Sequence, residues 1–420
     1  MEETKPTLYF GYTAKQLMCC VICYFGFLVF GGTDASRSVF FPLIQSYYHL
    51  EYDFQGILVS VSSVGYTIFS LFVGYLANRL GVKWTMILGF LILILTFGGG
   101  VVFVKLWFVF FSLIVSGIGN VFLDVGTNTW ATVLFQSHKA VMMNMLHCFY
   151  GLGATIGPVL TGYISRRMNI SYRGAFFATF AYCVLALFVS MLIPKSESKL
   201  QKEEEEEKSD FTILSALKHP VVWLLGFAQG CIAGTETITM SWVPIYLRDL
   251  YGWDPETRGA RFVSVFFLVY TISRVVSGFF IDYFGGMRSL FLYVCILITL
   301  FVIGFVLGER GIPFLMATGF FIAPLFPTLL TIAMTYFQKN VCKCTCAILF
   351  IYMIVSPLIQ LFVGFIMKHM GTAWGYRFVV VVMSLLLIDL LVINCFLKKK
   401  EKQEEEVKNL VTNEVVLSVC

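Results

Sequence analysis

The sequence predicts an all-α membrane protein of twelve transmembrane helices arranged as two related six-helix bundles. Three observations carry this. The 420 residues are 58% apolar and 17% aromatic but only 13% charged, with a mean hydropathy of +0.82, which is more apolar surface than one soluble core buries. That surface falls into twelve runs, each near the roughly 20 residues a helix needs to cross a hydrocarbon layer. The second six runs also repeat motifs of the first six, in order and at a nearly constant offset.

The runs lie at approximately 15–44, 55–77, 84–104, 106–135, 140–165, 174–193, 220–247, 260–281, 289–308, 312–337, 345–367 and 376–397. None shows the short alternating segments of a membrane β-barrel. The first run follows fourteen mixed residues with no small-residue cleavage site, so it reads as a retained helix rather than a signal peptide. After the sixth run comes KSESKLQKEEEEEKSD, Lys195 to Asp210, a charged stretch that neither packs nor crosses a bilayer. The chain therefore divides into an N-terminal segment (1–14), a first bundle (15–194), a charged linker (195–219), a second bundle (220–397) and a tail (398–420) that opens with KKKEKQEEE.

Lys and Arg are concentrated on the side holding both termini and the linker, which favours cytosolic termini. Asn169-Ile170-Ser171, a glycosylation sequon, falls in an expected outer loop. The net charge of +5 reflects Lys and Arg flanking the spans and points to the lipid bilayer rather than to nucleic acid. The plasma membrane is expected over an endolysosomal or vacuolar membrane. Most of the twelve Cys sit singly within spans, as small packing residues. Cys342, Cys344 and Cys346 form a C-x-C-x-C that lacks a second pair to complete a tetrahedral metal site.

The repeat is specific. Gly32-Thr33-Asp34…Pro42 recurs as Gly234-Thr235-Glu236…Pro244, at an offset of 202. GYLANRLG, Gly74 to Gly81, matches GFFIDYFG, Gly278 to Gly285, at 204. Gly119, Asp124 and Asn128 face Gly319, Pro324 and Thr328 at 200, and Pro158 faces Pro357 at 199.

Ionisable residues inside a membrane are costly and mark function by default. Asp34, Asp124 and Glu236 lie in the first, fourth and seventh runs. Asp124 has no basic residue within a turn or two along the chain, which suits it to carry a coupling proton. Asp34 and Arg37 share a helical face and can neutralise each other; alternatively Arg37 holds an anionic substrate. Glu236 is a candidate for substrate or cation coupling, whereas Asp389 in the last run has no assigned role. Amides, carboxylates and aromatic faces are the groups that bind sugars, and the relevant helices offer Asn120, Asn128, Asn144, His147, Gln229, Gln360, Trp130 and Trp242. These neutral polar groups outnumber the cations, favouring a neutral polyol over a multiply charged anion.

GYLANRLGVKW resembles the loop signature G-x-x-x-D-R-x-G-R-R of the major facilitator superfamily. The resemblance implies a gate built from Gly74, Asn78 (at the usual Asp), Arg79 and Lys83, with Asp282 and Tyr283 in the second copy. Arg274, Gly278 and Asp282 recur every fourth residue and are expected as gating or packing residues rather than substrate ligands. SGIGNVFLDVGTNTW, NMLHCFYGLGATIGP, GTETITMSWVPIYL and APLFPTLL are similar to the fucose:proton symporter family and its eukaryotic sodium-glucose-transporter-like sugar porter relatives. That resemblance implies two halves rocking around a central site lined by helices 1, 4, 7 and 10. The family's helix 4 acid falls on Asp124, with Asn128 one turn on; its helix 1 acid position falls on Ser38, one turn after Asp34.

The implied function is secondary transport of a small polar solute, a monosaccharide first, with a proton as the coupling ion and sodium as the alternative. An organic anion carrier using Arg37 and a non-transporting membrane sensor are the competing readings. No nucleophile–base set, metal motif or phosphate loop points to an enzyme or a bound cofactor. One chain supplies both halves, so a monomer is expected to function.

Overall fold

A computed structural model of the chain describes residues 12–134, 139–193, 213–337 and 341–419. The first half contains α1 (Ala14–Ala35), α2 (Arg37–Tyr48), α3 (Tyr52–Leu80), α4 (Val82–Val102), α5 (Leu106–Leu134), α6 (Lys139–Met168) and α7 (Tyr172–Met191). The second contains a short α8 (Ile213–Ala216), then α9 (Pro220–Tyr251), α10 (Ala260–Phe284), α11 (Gly286–Val306), α12 (Ile312–Ile322), α13 (Leu325–Phe337), α14 (Val341–Met370) and α15 (Thr372–Val419).

Ten segments among the described residues are long and apolar enough to cross a membrane, α1 with α2 counting as one and α12 with α13 as another. The 29-residue α3 and the 30-residue α6 pack among them and bring the crossings to twelve. In the first half α1 packs on α6, α5 on α3 and α4, and α4 on α7; in the second, α9 packs on α14 and α15, and α12 on α10 and α11. The halves meet along α3 with α14, α6 with α10 and, at one end, α2 with α9. The chain is all-α, as composition and run length predict.

Local sequence explains where helices start, turn and break. Thr13 and Gln16 close a reciprocal capping box at the start of α1, and Pro220 opens α9, where its missing N–H costs nothing. Gly81 and Gly285, the last residues of the two repeated motifs, adopt φ of 77° and 84° at the α3–α4 and α10–α11 corners, a region open chiefly to glycine. Between α12 and α13, Pro324 lacks the N–H that would bond the Phe320 carbonyl. Ser273 of α10 donates its hydroxyl to that carbonyl instead. A discontinuous helix is tolerated at membrane depth when neighbours satisfy the freed groups in this way.

Packing of α1 against α6 depends on backbone approach. A Cβ on Gly31 would lie 2.0 Å from the Tyr150 carbonyl oxygen, and one on Gly153 only 1.8 Å from that of Leu28. Small residues at such crossings let helices associate by close packing where lipid gives no hydrophobic drive.

The tail, expected as a solvated segment, continues the last membrane helix. The 48 residues of α15 form one helix through Val419, about 72 Å at 1.5 Å per residue, more than twice the hydrocarbon thickness. Residues 398–409 are Lys, Glu, Gln, Val, Asn and no Gly or Pro, so nothing in the sequence stops the helix where the apolar run ends. The charged linker lies largely outside the described residues.

Candidate transport site

Between the halves lies a cavity of about 1530 Å³. Asn128, His147 and Cys148 contribute from the first half, and Arg274, Asp282, Thr328 and Lys400 from the second. The Gly285 corner, Arg288, Tyr336 and Lys400 in its wall place its mouth on the side where α13 ends and the tail of α15 departs.

The opposite side is closed by polar ties between the halves. Arg248, at the end of α9, donates to Ser46 Oγ (2.9 Å) and Gln45 Oε1 (3.0 Å) of α2. Tyr52 donates to Asp249 Oδ2 at 2.7 Å. Lys368 pairs with Asp53 at 2.8 Å and Glu51 at 2.5 Å, and Arg166 with Asp254 at 3.4 Å. The molecule is therefore open on one face only. These ties were not foreseen: the charges are visible in the sequence, but partners 88 to 315 residues apart are set by how the halves dock.

Asp34, Asp124 and Glu236 each have a tyrosine. Asp34 lies 3.2 Å from Arg37 and accepts the Tyr150 hydroxyl at 2.9 Å. Asp124 accepts from Tyr66 and, at 2.8 Å, from Asn128 Nδ2 one turn along α5. Glu236 accepts the Tyr270 hydroxyl at 3.1 Å. Tyr270 in turn accepts from Arg274 Nη2 at 2.8 Å, with the guanidinium 4.8 Å from the centre of its ring. Alone among residue types, tyrosine supplies an apolar body with a phenolic donor at its tip. Tyr66, Tyr150 and Tyr270 were all missed by sequence reading, because a tyrosine in an apolar run carries no signal of where its hydroxyl ends.

The expected site residues separate into groups. Asn128 and His147 line the cavity, and His147 also meets the edge of Phe27. Arg37 pairs with Asp34, as their spacing on one helical face allows. Ser38 is fully buried and its hydroxyl bonds the Ala35 carbonyl at 2.7 Å, so it faces its own helix rather than a solute. Trp242 and Gln360 are buried and bond each other at 2.9 Å, while Gln360 Nε2 reaches the Gly234 carbonyl at 3.0 Å. They lock α14 to α9 instead of facing the cavity. Asn120 is buried against Thr33, Trp130 is buried too, and Gln229 donates to the Phe326 carbonyl beside the broken helix.

Arg274, grouped by spacing with Gly278 and Asp282, lines the cavity with both of them and bears on Glu236 through Tyr270. Sequence spacing identified its face but not its depth. Asp282 does sit exposed at the cavity mouth. Lys83 bonds the Met191 and Ile193 carbonyls, both at 2.7 Å, and so caps the end of α7. Arg79 is exposed at the end of α3. The side chains of Asn78 and Asn144, the surroundings of Gly74 and the side chain of Cys342 lie outside the described residues. Cys344 is buried and Cys346 exposed. Asp389 is buried on α15, with Oδ2 unpartnered among the described residues.

Comparison with known proteins agrees with this geometry. Residues 23–343 match the Major Facilitator Superfamily family model. The chain is 19% identical over 358 residues to "Protein TsgA homolog" of Buchnera aphidicola, covering 82% of this chain and 90% of that protein. It is 23% identical over 328 residues to the "Glucose/galactose transporter" of Brucella abortus, covering 73% and 78%. The structure of FucP in its outward conformation superposes with a TM-score of 0.63 over 90% of this chain and 99% of that one, at 16% identity. With twelve crossings in two related halves around a one-sided cavity, and most of its length matching the family model, this chain belongs to the major facilitator superfamily of membrane transporters.

Proposed function

We propose that the protein is a proton-coupled secondary transporter of a small polyhydroxylated solute of the monosaccharide class, working by alternating access. The observation that carries this reading is Asp124, a carboxylate at membrane depth held by Tyr66 and Asn128, with Asn128 itself in the cavity wall. One residue thus touches both the ion-binding carboxylate and the space a solute enters.

Charge balance supports proton coupling. Asp34 has Arg37 opposite it, Glu236 reaches Arg274 through Tyr270, and Asp124 is held by the neutral Tyr66 and Asn128. One negative charge is left over, and a buried charge without compensation is costly. A proton on one carboxylate removes that charge, so the loaded and empty sites favour different states. Only such differential affinity lets a gradient drive the cycle. The sugars for which the Brucella relative and the E. coli fucose:proton symporter are named support the solute class. With both termini cytosolic, the cavity faces inward, and Arg248, Asp249 and Lys368 hold the outer side shut.

The test is uptake of labelled hexoses into proteoliposomes with an imposed inward proton gradient, comparing the native chain with Asp124→Asn. Gradient-driven accumulation that falls to simple exchange in the variant is expected. Uptake that follows a sodium gradient, or accumulation unaffected in the variant, would remove Asp124 as the proton carrier.

A further inference from the structure

The cavity wall carries more positive charge than the sequence suggested. Among the described residues it carries Arg274 and Arg288 against one carboxylate, Asp282, with Lys400 held at Tyr336. Asp34, Asp124 and Glu236 each accept hydrogen bonds from neighbours, whereas Arg274 forms no ion pair among the described residues. Its Nε–H is buried with no acceptor among them. One guanidinium nitrogen is spent on the Tyr270 hydroxyl, which is itself turned toward Glu236.

An arginine in that condition is short of acceptors, and guanidinium is shaped to donate two parallel hydrogen bonds to a planar carboxylate. A neutral sugar in the cavity would offer hydroxyl acceptors without an opposite charge. An anionic one would supply both, and the positive wall toward the mouth would concentrate it there. Arg37 cannot serve, because Asp34 already holds it.

We infer that the solute is a sugar acid, a polyhydroxylated monoanion of the aldonate or uronate type, with its carboxylate on Arg274 and its hydroxyls toward Asn128 and His147. This rests on the reading of the cavity as a site for a small polyhydroxylated solute, and adds the charge. Glu236 then has a defined place: behind Tyr270, it competes with the incoming carboxylate for Arg274.

The experiment is counterflow exchange in proteoliposomes with labelled D-glucuronate, its neutral amide D-glucuronamide, and D-glucose, on the native chain, Arg274→Gln and Arg274→Lys. The native protein should exchange glucuronate at least about tenfold faster than either neutral compound, the scale of one charge-assisted pair. Arg274→Gln should lower the glucuronate-to-glucose ratio by about tenfold or more, and Arg274→Lys should retain part of it. Native protein that exchanges glucose or glucuronamide as fast as glucuronate overturns the sugar-acid inference and leaves the polyhydroxylated-solute reading standing, even if Arg274→Gln fails to fold. A ratio unchanged in a folded Arg274→Gln variant overturns the assignment of the charge to Arg274. If native protein with a sharp melting transition exchanges none of the three, the underlying reading falls with it.

Discussion

Tyr66 and Tyr270 hold the same place in the two halves, 204 residues apart, and each donates its hydroxyl to a carboxylate inside the membrane. The offset is that of the Gly74 and Gly278 motifs further along the same helices. Their partners are not equivalent: Tyr66 meets Asp124 of α5, whereas Tyr270 meets Glu236 of α9. The second half has Pro324 where the first has Asp124, so its broken helix offers no acid, and the tyrosine turns to another helix. The halves share a scaffold and divide the chemistry.

Tyr66→Phe removes a hydrogen bond to a buried charged group, a loss on the order of 1.5–3 kcal/mol. Gradient-driven uptake should fall by about tenfold or more, since about 1.4 kcal/mol is a factor of ten. Uptake at the native level would mean that Tyr66 does not hold Asp124 in the working cycle.

Asp34 and Arg37 should be more sensitive to single than to double neutralisation. Both side chains are largely buried, at 21% and 13% exposed. Removing one partner of such a pair leaves a charge with nothing opposite it, at a cost of about 3 kcal/mol, whereas removing both does not. In detergent, Arg37→Gln should melt well below the native chain and Asp34→Asn/Arg37→Gln should recover most of the loss. A double variant less stable than either single one would contradict this.

Arg248 ties α9 to α2 by two short hydrogen bonds. Arg248→Ala should release the closed side and move the population toward the opposite opening by about tenfold, the effect of roughly 1.4 kcal/mol. Hydrogen exchange should rise at the Arg248 end of α9 and the Tyr48 end of α2, with no comparable rise around Lys83. Equal protection in variant and native protein would show that the remaining ties suffice.

Two glycines of similar standing in the sequence should behave oppositely. A methyl on Gly153 would lie 1.8 Å from the Leu28 carbonyl oxygen, a backbone atom that cannot swing aside, while one on Gly278 meets nothing within 4 Å. Gly153→Ala should prevent recovery of monodisperse protein. Gly278→Ala should be tolerated and gain about 0.5–1 kcal/mol of helix stability, read as a higher melting temperature.

The chain by itself determined the layers of this protein. Twelve apolar runs in lipid can only be helices, because no water is available to satisfy an exposed backbone, and one offset shared by four motifs makes the halves repeats. It also marked Asp34, Asp124, Glu236 and Arg37, since a charge in such a run stands out against its neighbours. Only the tertiary structure decided which of these groups are engaged. Arg37 pairs with Asp34, Arg274 comes to the cavity wall, and Trp242 and Gln360 turn into the α9–α14 contact. The physical reason is range. Hydropathy and spacing act within a helix and are written in consecutive residues, whereas Tyr150 meets Asp34, and Arg248 meets Gln45, only when helices far apart in sequence pack with a particular rotation and depth.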